Sequence, residues 1–511
     1  MTIDPRTPVV VGVGQAAERV GDADYRGMSA VDLATAAARA ALQDCAATDV
    51  GAVAEAINLV AGTRQFETTG RDDPGVLGRS TNYPRSVANR IGAGRAHAVL
   101  DVIGGQGPQR LLNEFAAAIA VGDIEVALIF GSDNSSTLRH LADTDPKPDF
   151  TEVVEGQLED RGFGLEDIID DYLIFHGMTS PAAQFGVMEN ARRGRYGTGT
   201  REYLRQMGEL LAPFTKVAAK NPFAASPVER SVDELVTVDE KNRLICTPYP
   251  RLIVARDLVN QGAAALVMSV GAAHGLGVPQ EKWVYLCGHA DMTEQPLLAR
   301  PDLGRSRTAE LAAHEALSVA GVTPDEIATF DLYSCFPISV FDMSEHLGLA
   351  PDDSRGLTLT GGLPYFGGPG NNYSMHAIVE TVCQMRSRPG NFGFVSATGG
   401  VMSKCSAGVY STTPQPWRPD RSRELQDEVK SWPAVAVTRV ADGDATIETY
   451  SVHYDWPTTT GVIVGRLRSD NSRFMATSED EDLVALLAKG EPLGAKVLVR
   501  ASEYGNRVSL K

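Results

Sequence analysis

The sequence predicts an α/β protein: two αβ halves built alike, a polar segment inserted into the first, and a small β-barrel at the C-terminal end. Three observations predict it. Apolar strand-like runs alternate with helix-like runs over residues 1–412. The helical stretch Ala37-Ala38-Arg39-Ala40-Ala41-Leu42 is echoed by Ala312-Ala313-His314-Glu315-Ala316-Leu317, and each leads through a short polar loop into an apolar strand. After the Pro-rich residues 412–419 the pattern switches to short strands parted by turn residues. Strands alternating with helices imply parallel pairing through right-handed crossovers.

Element by element, Pro8–Val13 is a buried strand, and Gly12-Val13-Gly14-Gln15-Ala16-Ala17 after it fits a dinucleotide fingerprint. That fingerprint needs a helix at once. A Gly/Asp/Tyr loop follows instead, and Asp32 opens a helix rather than ending a second strand, so a tight turn is the favoured reading. Residues 29–46 form an Ala-rich helix capped by Ser29 or Asp32. Residues 54–61 read as a strand, 62–84 as a loop, 83–92 as a helix, and 96–103 as a buried strand. Gly104-Gly105-Gln106-Gly107-Pro108 then opens a helix over 109–121, followed by a strand at 125–131.

Residues 133–250 are more polar and carry local cations, so they read as a subdomain between two strands. The chain divides into a first half (1–132 and 251–275), this insert, a second half (276–412), a linker (413–430) and a barrel of the oligonucleotide/oligosaccharide-binding type (431–511). Its strands are expected at 435–440, 445–454, 461–467, 472–477, 495–502 and 507–510, with a helix at 480–487. In the second half, residues 361–370 hold five glycines and two prolines before Asn371-Asn372 and a helix. Such a loop brings backbone close to a ligand and aims free N–H groups at it.

With 47 Lys and Arg against 65 Asp and Glu, the chain carries −18, which argues against nucleic acid or an anionic membrane as partner. No apolar run is long enough to span a bilayer, and the N-terminal residues do not read as a signal segment. Six scattered cysteines form no zinc pattern, so no metal is expected, and reduced thiols point to the cytoplasm.

The duplicated halves, the insert and the glycine turns resemble the thiolase superfamily over residues 5–412, and within it the type 1 thiolase-like proteins of mycobacteria, which carry an extra C-terminal domain. The resemblance implies a duplicated thiolase fold with layered αβαβα halves, acyltransferase chemistry of the acetyl-CoA acetyltransferase kind in lipid metabolism, CoA or acyl-CoA as ligand and no required cofactor. Thiolases use a nucleophilic Cys, an activating His, a second Cys and an oxyanion-hole Asn or His. Position by position, the nucleophile falls on Gly104 and the oxyanion-hole residue on Tyr333 of Tyr333-Ser334-Cys335-Phe336. The His falls on Gly368 after Gly367, and the second Cys on Ala397 of Ser396-Ala397-Thr398-Gly399-Gly400. All four differ from the family pattern, which implies a thioester-binding protein without standard thiolase turnover. Some superfamily members are lyases with an accessory barrel protein, a part the attached barrel could play.

Two alternatives stand: an acyltransferase recruiting another thiol, and a dinucleotide enzyme built on residues 12–17. Cys335 is either a cleft thiol or a small buried one. Cys405 follows Lys404, a cation able to lower its pKa, or is filler. His376 is either a base or a helix histidine bonded to a neighbour. Arg192, Arg193 and Arg195 are either CoA phosphate ligands or a solvated helix end. Thiolases are dimers or tetramers; the replaced nucleophile loop and added domain put that dimer in doubt, leaving monomer or dimer.

Overall fold

The computed structural model describes residues 3–66, 75–166, 168–454 and 459–511. The strands are β1 (Pro8–Ala17), β2 (Leu59–Gly62), β3 (His97–Leu100), β4 (Val126–Asp133), β5 (Glu159–Asp160), β6 (Leu244–Cys246), β7 (Tyr249–Pro250), β8 (Gln261–Ser269), β9 (Val284–Thr293), β10 (Ile327–Asp331), β11 (Phe392–Gly399) and β12 (Lys404–Ser411). Five more follow: β13 (Gly443–His453), β14 (Thr460–Leu467), β15 (Arg473–Ser478), β16 (Lys496–Ser502) and β17 (Gly505–Leu510).

One sheet runs β10-β11-β12-β9-β1-β8-β4-β2-β3-β5. Its halves meet where β1 and β9 pair antiparallel, Val9 opposite Tyr285 and Val10 opposite Val284. From that junction each side repeats one pattern. On one side β1, β8 and β4 pair antiparallel and β2 lies parallel to β4; on the other β9, β12 and β11 pair antiparallel and β10 lies parallel to β11. The expectation of parallel strands is therefore corrected near the junction. The turn between β11 and β12 spans residues 400–403, too short for a crossover helix, so β12 returns antiparallel. β5 lies on the outer edge of β3, covering backbone groups that would otherwise face outward.

The echoed helices, Ala30–Asp44 and Arg307–Ala320, pack on β1 and β9 respectively. Ser29 and Asp32 cap the first reciprocally. A Cβ on Gly12 would lie 2.1 Å from the Ala41 carbonyl oxygen, and one on Gly288 1.9 Å from that of Ala316. Ala41 and Ala316 hold the same place in the echoed stretch. Gly12 thus serves close helix–strand approach. β1 continues unbroken through Ala17. Residues 12–17 form neither a turn nor a phosphate cradle, which corrects the turn and removes the structural basis for a dinucleotide site.

Helices Gly107–Val121 and Tyr373–Ser387 pack on each other, and both touch strands of both halves. They form the inner layer, where Leu112, Phe115, Met375 and Ile378 join Val10 and Val284 in one core. The segment between β4 and β8 carries helices Pro181–Tyr196 and Thr200–Ala218. Glu189 is buried there and accepts from the Tyr203 and Tyr249 hydroxyls at 2.5 and 2.8 Å and from the Ile338 N–H at 2.9 Å. It ties the insert to helix Pro337–Leu347.

β13–β17 close into a five-stranded barrel, with β15 and β17 parallel and β6 joined to β13 through Cys246 and His453. Three expectations are corrected. Residues 435–440 form no strand beyond one bridge, Val437 to Arg473. The expected linker contains a helix, Ser422–Lys430, packed on β9. Helix Val50–Ala56 stands where the strand of 54–61 was expected to begin. Short apolar runs do not separate helix from strand by period. Part of the loop expected over 62–84 lies outside the described residues. Among the described residues no helix is long and apolar enough to cross a membrane.

Candidate functional site

The glycine turns singled out in the sequence meet at the front of the inner helices. The Asn371 carbonyl oxygen accepts from the Gly104 N–H at 2.8 Å, and its amide nitrogen donates to the Arg64 carbonyl at 2.6 Å. Ser374 donates to the Gly105 carbonyl at 2.7 Å. The start of helix Tyr373–Ser387 is thereby stitched to the loop before helix Gly107–Val121. Tyr333 reaches the same place: the space beside Gly105 is closed by its hydroxyl and by the Thr398 carbonyl. Its N–H donates to Ser396 at 3.1 Å, next to Ala397. Burial pushes the Tyr333 pKa far up, which keeps its hydroxyl protonated and able to donate. Gly368 lies three residues before Asn371, its N–H donating to the Arg256 carbonyl at 2.8 Å; Gly367 lies against Gln261.

Gly104 has φ of +144°, a conformation that strains an L-residue. The side chain of Gln106 fills the space beside it. A Cβ on Gly104 would lie 2.0 Å from Gln106 Oε1, and one on Gly399 1.9 Å from the same atom. Gln106 is 1% exposed.

Asp331 fixes the approach to the Gly/Pro loop. This buried carboxylate accepts from the Leu359 and Thr360 N–H groups and the Thr358, Thr360 and Tyr373 hydroxyls, at 2.8–3.1 Å. The turn after Ala397 is held by buried Arg300, which donates to the Val401 carbonyl at 2.8 Å and to Ser403 at 3.0 Å. Arg473 of the barrel, fully buried, donates to the Leu298 and Arg300 carbonyls at 2.6 Å each and pairs with Glu448.

The other candidates lie differently. His376 turns away: its Nδ1 meets Gln15 Oε1 at 2.6 Å, and burial lowers its pKa to about 3, so the ring stays neutral. Cys335 is buried against Ser339 and pushed up to about 12. Cys405 is pushed up to about 11 by burial. Strand alternation separates it from the ammonium of Lys404, which donates to the Ile103 and Gly164 carbonyls at 3.1 and 2.5 Å. The expected pKa-lowering cation therefore does not act on that thiol.

The arginine cluster is internal. Arg192 is ion-paired with Glu345, donates to the Tyr203 hydroxyl at 3.0 Å and stacks 4.2 Å from the Phe341 ring centroid. Arg193 pairs with Glu491 and donates to the Tyr450 hydroxyl at 3.2 Å, clamping the barrel. Arg195 pairs with Asp302 at 2.7 Å and lines a crevice of 320 Å³ shared with Leu493. A solvated helix end is thus corrected: carboxylates distant in sequence consume two of the three charges inside the fold.

Sequence reasoning missed a cavity of 410 Å³ next to the turns, lined by Asp101, Gln106, Arg110, Asp291, Lys404 and Cys405 among others. Asp101 is fully buried and ion-paired with Arg110. Asp291 accepts from Ser406 at 2.5 Å, and burial raises its pKa to about 6. The signal in sequence was slight: Arg110 and Glu114 at i,i+4 spacing. Among the described residues no cluster of three or more His, Cys, Asp or Glu is placed to hold a metal.

A solved structure of a monomeric SCP2-thiolase-like protein type 1 from Mycobacterium smegmatis shares 52% identity with the chain, covers all of both chains and superposes with a TM-score of 0.87. The chain belongs to the SCP2-thiolase-like protein type 1 family. In this type 1 protein, the thiolase-like protein type 1 additional C-terminal domain matches residues 424–504, which include β13 to β16, four of the barrel's five strands. The dimeric peroxisomal thiolase of Saccharomyces cerevisiae shares its fold at 13% identity and TM-score 0.57, over 80% of this chain and 98% of that one. Human mitochondrial 3-ketoacyl-CoA thiolase does so at 15% identity and 0.55, over 80% and 100%. No curated protein sequence matches.

Proposed function

We propose that this type 1 protein binds a CoA thioester of lipid metabolism at the meeting point of its glycine turns and does not run the Claisen condensation of thiolases. The observation that carries this reading is the chemistry left there. The positions matched to nucleophile, oxyanion-hole residue, His and second Cys hold Gly104, Tyr333, Gly368 and Ala397, while burial holds the nearby Cys335 and Cys405 thiols protonated at neutral pH. A thioester carbonyl there would meet donors, the Tyr333 hydroxyl foremost, but no thiolate. Of the three arginines, Arg195 is the most exposed, and we assign it to a CoA phosphate, which would have to replace its pairing with Asp302. Covering of the β3 edge by β5, together with the monomeric relative, supports a monomer. Six unbridged thiols support a reducing cytoplasm.

Calorimetric titration with CoA and acetoacetyl-CoA, beside a thiolysis assay on the same sample, tests the reading. Saturable binding without turnover is expected; turnover or absence of binding overturns it. Because Cys405 lines the adjacent cavity, acyltransfer through that thiol is the second reading. Inactivation by a thiol alkylator, with protection by acyl-CoA, would favour it.

A further inference from the structure

The chain carries −18, yet one of its faces is left positive. We propose that Arg230, Arg251 and Arg256 on that face form a binding site for a small molecule that carries a phosphate monoester. Arg256 is locked to the Gly/Pro loop in both directions: its N–H donates to the Leu363 carbonyl at 3.1 Å, and its carbonyl accepts from the Gly368 N–H at 2.8 Å. The segment that leads to Arg230 lies along the same loop, the Ala225 and Ser226 N–H groups donating to the Phe366 and Tyr365 carbonyls at 2.6 and 3.0 Å. Arg230 is then held by Thr215, whose hydroxyl oxygen accepts from its N–H at 3.0 Å. Residues 251–253 pack on helix Val232–Val236, which begins two residues after Arg230. Two separate stretches of chain thus bring the three arginines together beside the loop.

Their side chains are unspent. Arg251 and Arg256 are exposed and Arg230 is partly buried, and among the described residues none of the three has an ion pair or a side-chain hydrogen bond. Elsewhere the fold spends arginines on carboxylates, as at Arg64, Arg110, Arg193 and Arg386. Glu229, next to Arg230, pairs with Lys216 instead, at 3.9 Å. The three guanidinium groups feel one another. Loss of solvent lowers the Arg256 pKa, and the charges of Arg251 and Arg230 lower it further, with Asp257 opposing them. Like charges held together in this way favour an occupant of opposite charge. Three guanidinium groups against the one carboxylate of Asp257 leave two positive charges, which a phosphate monoester matches at about −2. Its oxygens accept from a guanidinium fork two at a time. A singly charged anion leaves half of that charge unmet. The site stands on these residues alone, whether or not a thioester binds at the glycine turns.

The test is calorimetric titration of the full chain at low salt with inorganic phosphate, at mildly alkaline pH where it is a dianion, and with nitrate as the singly charged counterpart. Expected is saturable binding of phosphate, at least ten-fold weaker binding of nitrate, and at least ten-fold loss of phosphate affinity in both Arg256→Gln and Arg230→Gln. Arg388→Gln, at the far end of helix Tyr373–Ser387 from the loop, is expected to keep wild-type affinity. Thermal melts confirm that the variants are folded, and exposed Arg256 serves if Arg230→Gln is not. Competition separates the two sources of such a group. Displacement of phosphate by CoA at least ten-fold more strongly than by dephospho-CoA would assign the ribose phosphate of CoA to this site. No displacement by either would assign a different phosphorylated molecule, and both outcomes uphold the site. No saturable phosphate binding overturns the proposal, as do equal binding of nitrate, equal displacement by CoA and dephospho-CoA, or unchanged affinity in the folded variants.

Discussion

Gly105 lies directly against the hydroxyl of Tyr333: a methyl group on it would sit 1.8 Å from the Tyr333 oxygen and 2.7 Å from the Thr398 carbonyl oxygen. Neither neighbour can yield cheaply, because one belongs to a buried ring and the other to a strand. Gly105→Ala is expected to destabilise the protein by about 1–3 kcal/mol, the usual range for overpacking a tight interior. A urea unfolding curve checks this. An unchanged midpoint would mean that the turns are looser than described.

Asp331→Ala removes the acceptor shared by two N–H groups and three hydroxyls. Burial raises its pKa, yet the surrounding donors require an oxygen there. The expected loss is about 3 kcal/mol or more, since buried donors are left unpaired. Asp331→Asn, which keeps one oxygen, is expected to lose less. Thermal melts of both variants give the order.

His376 has a folded pKa of about 3, below the ordinary value of 6.5. The unfolded chain therefore takes up a proton that the folded one refuses. Its contribution is full above about pH 6.5 and is lost as pH falls towards 3, with a limiting slope of about 1.4 kcal/mol per pH unit. Buried Asp133 and Asp291, both raised to about 6, act with the opposite sign between about 4 and 6. Comparing His376→Gln with wild type isolates the histidine: the variant is expected to lose less stability between pH 7 and pH 5. Parallel curves would rule this out.

Five of the six thiols are buried and Cys383 is exposed. Iodoacetamide at neutral pH is expected to label the native chain once, at Cys383, and six times after unfolding. Mass spectrometry of peptides reads the sites. Native labelling of Cys405 would show that its cavity opens to solvent and would favour the acyltransfer reading.

The glycine turns were legible in the sequence because each is local: Gly104–Gly107, Gly361–Gly370 and Thr398–Gly400 announce themselves by composition, and helix, strand and barrel periods place them. The arginines were not. In Arg192-Arg193-Gly194-Arg195 adjacent side chains leave a helix in different directions, and what meets them is Glu345 and Glu491, each more than 150 residues away. Asp331, Glu189 and Asp101 are lone acidic residues with no local pattern, and only the folded neighbourhood turns them into anchors. The strand order near the junction was also hidden, since an αβ alternation does not say which strands return antiparallel.

The two guanidinium groups Arg473 and Arg300 give the C-terminal barrel a standing that its place at the chain's end does not suggest. Arg473 grips the backbone of residues 298 and 300, and Arg300 in turn grips residues 401 and 403 beside the glycine turns. An appended module is ordinarily one that can be excised at its hinge. Here the cut would free a strut whose far end braces the turn between β11 and β12. The barrel and the halves are thus not independent parts, and a chain without the barrel would need new contacts to hold residues 298–300, and through them residues 401–403.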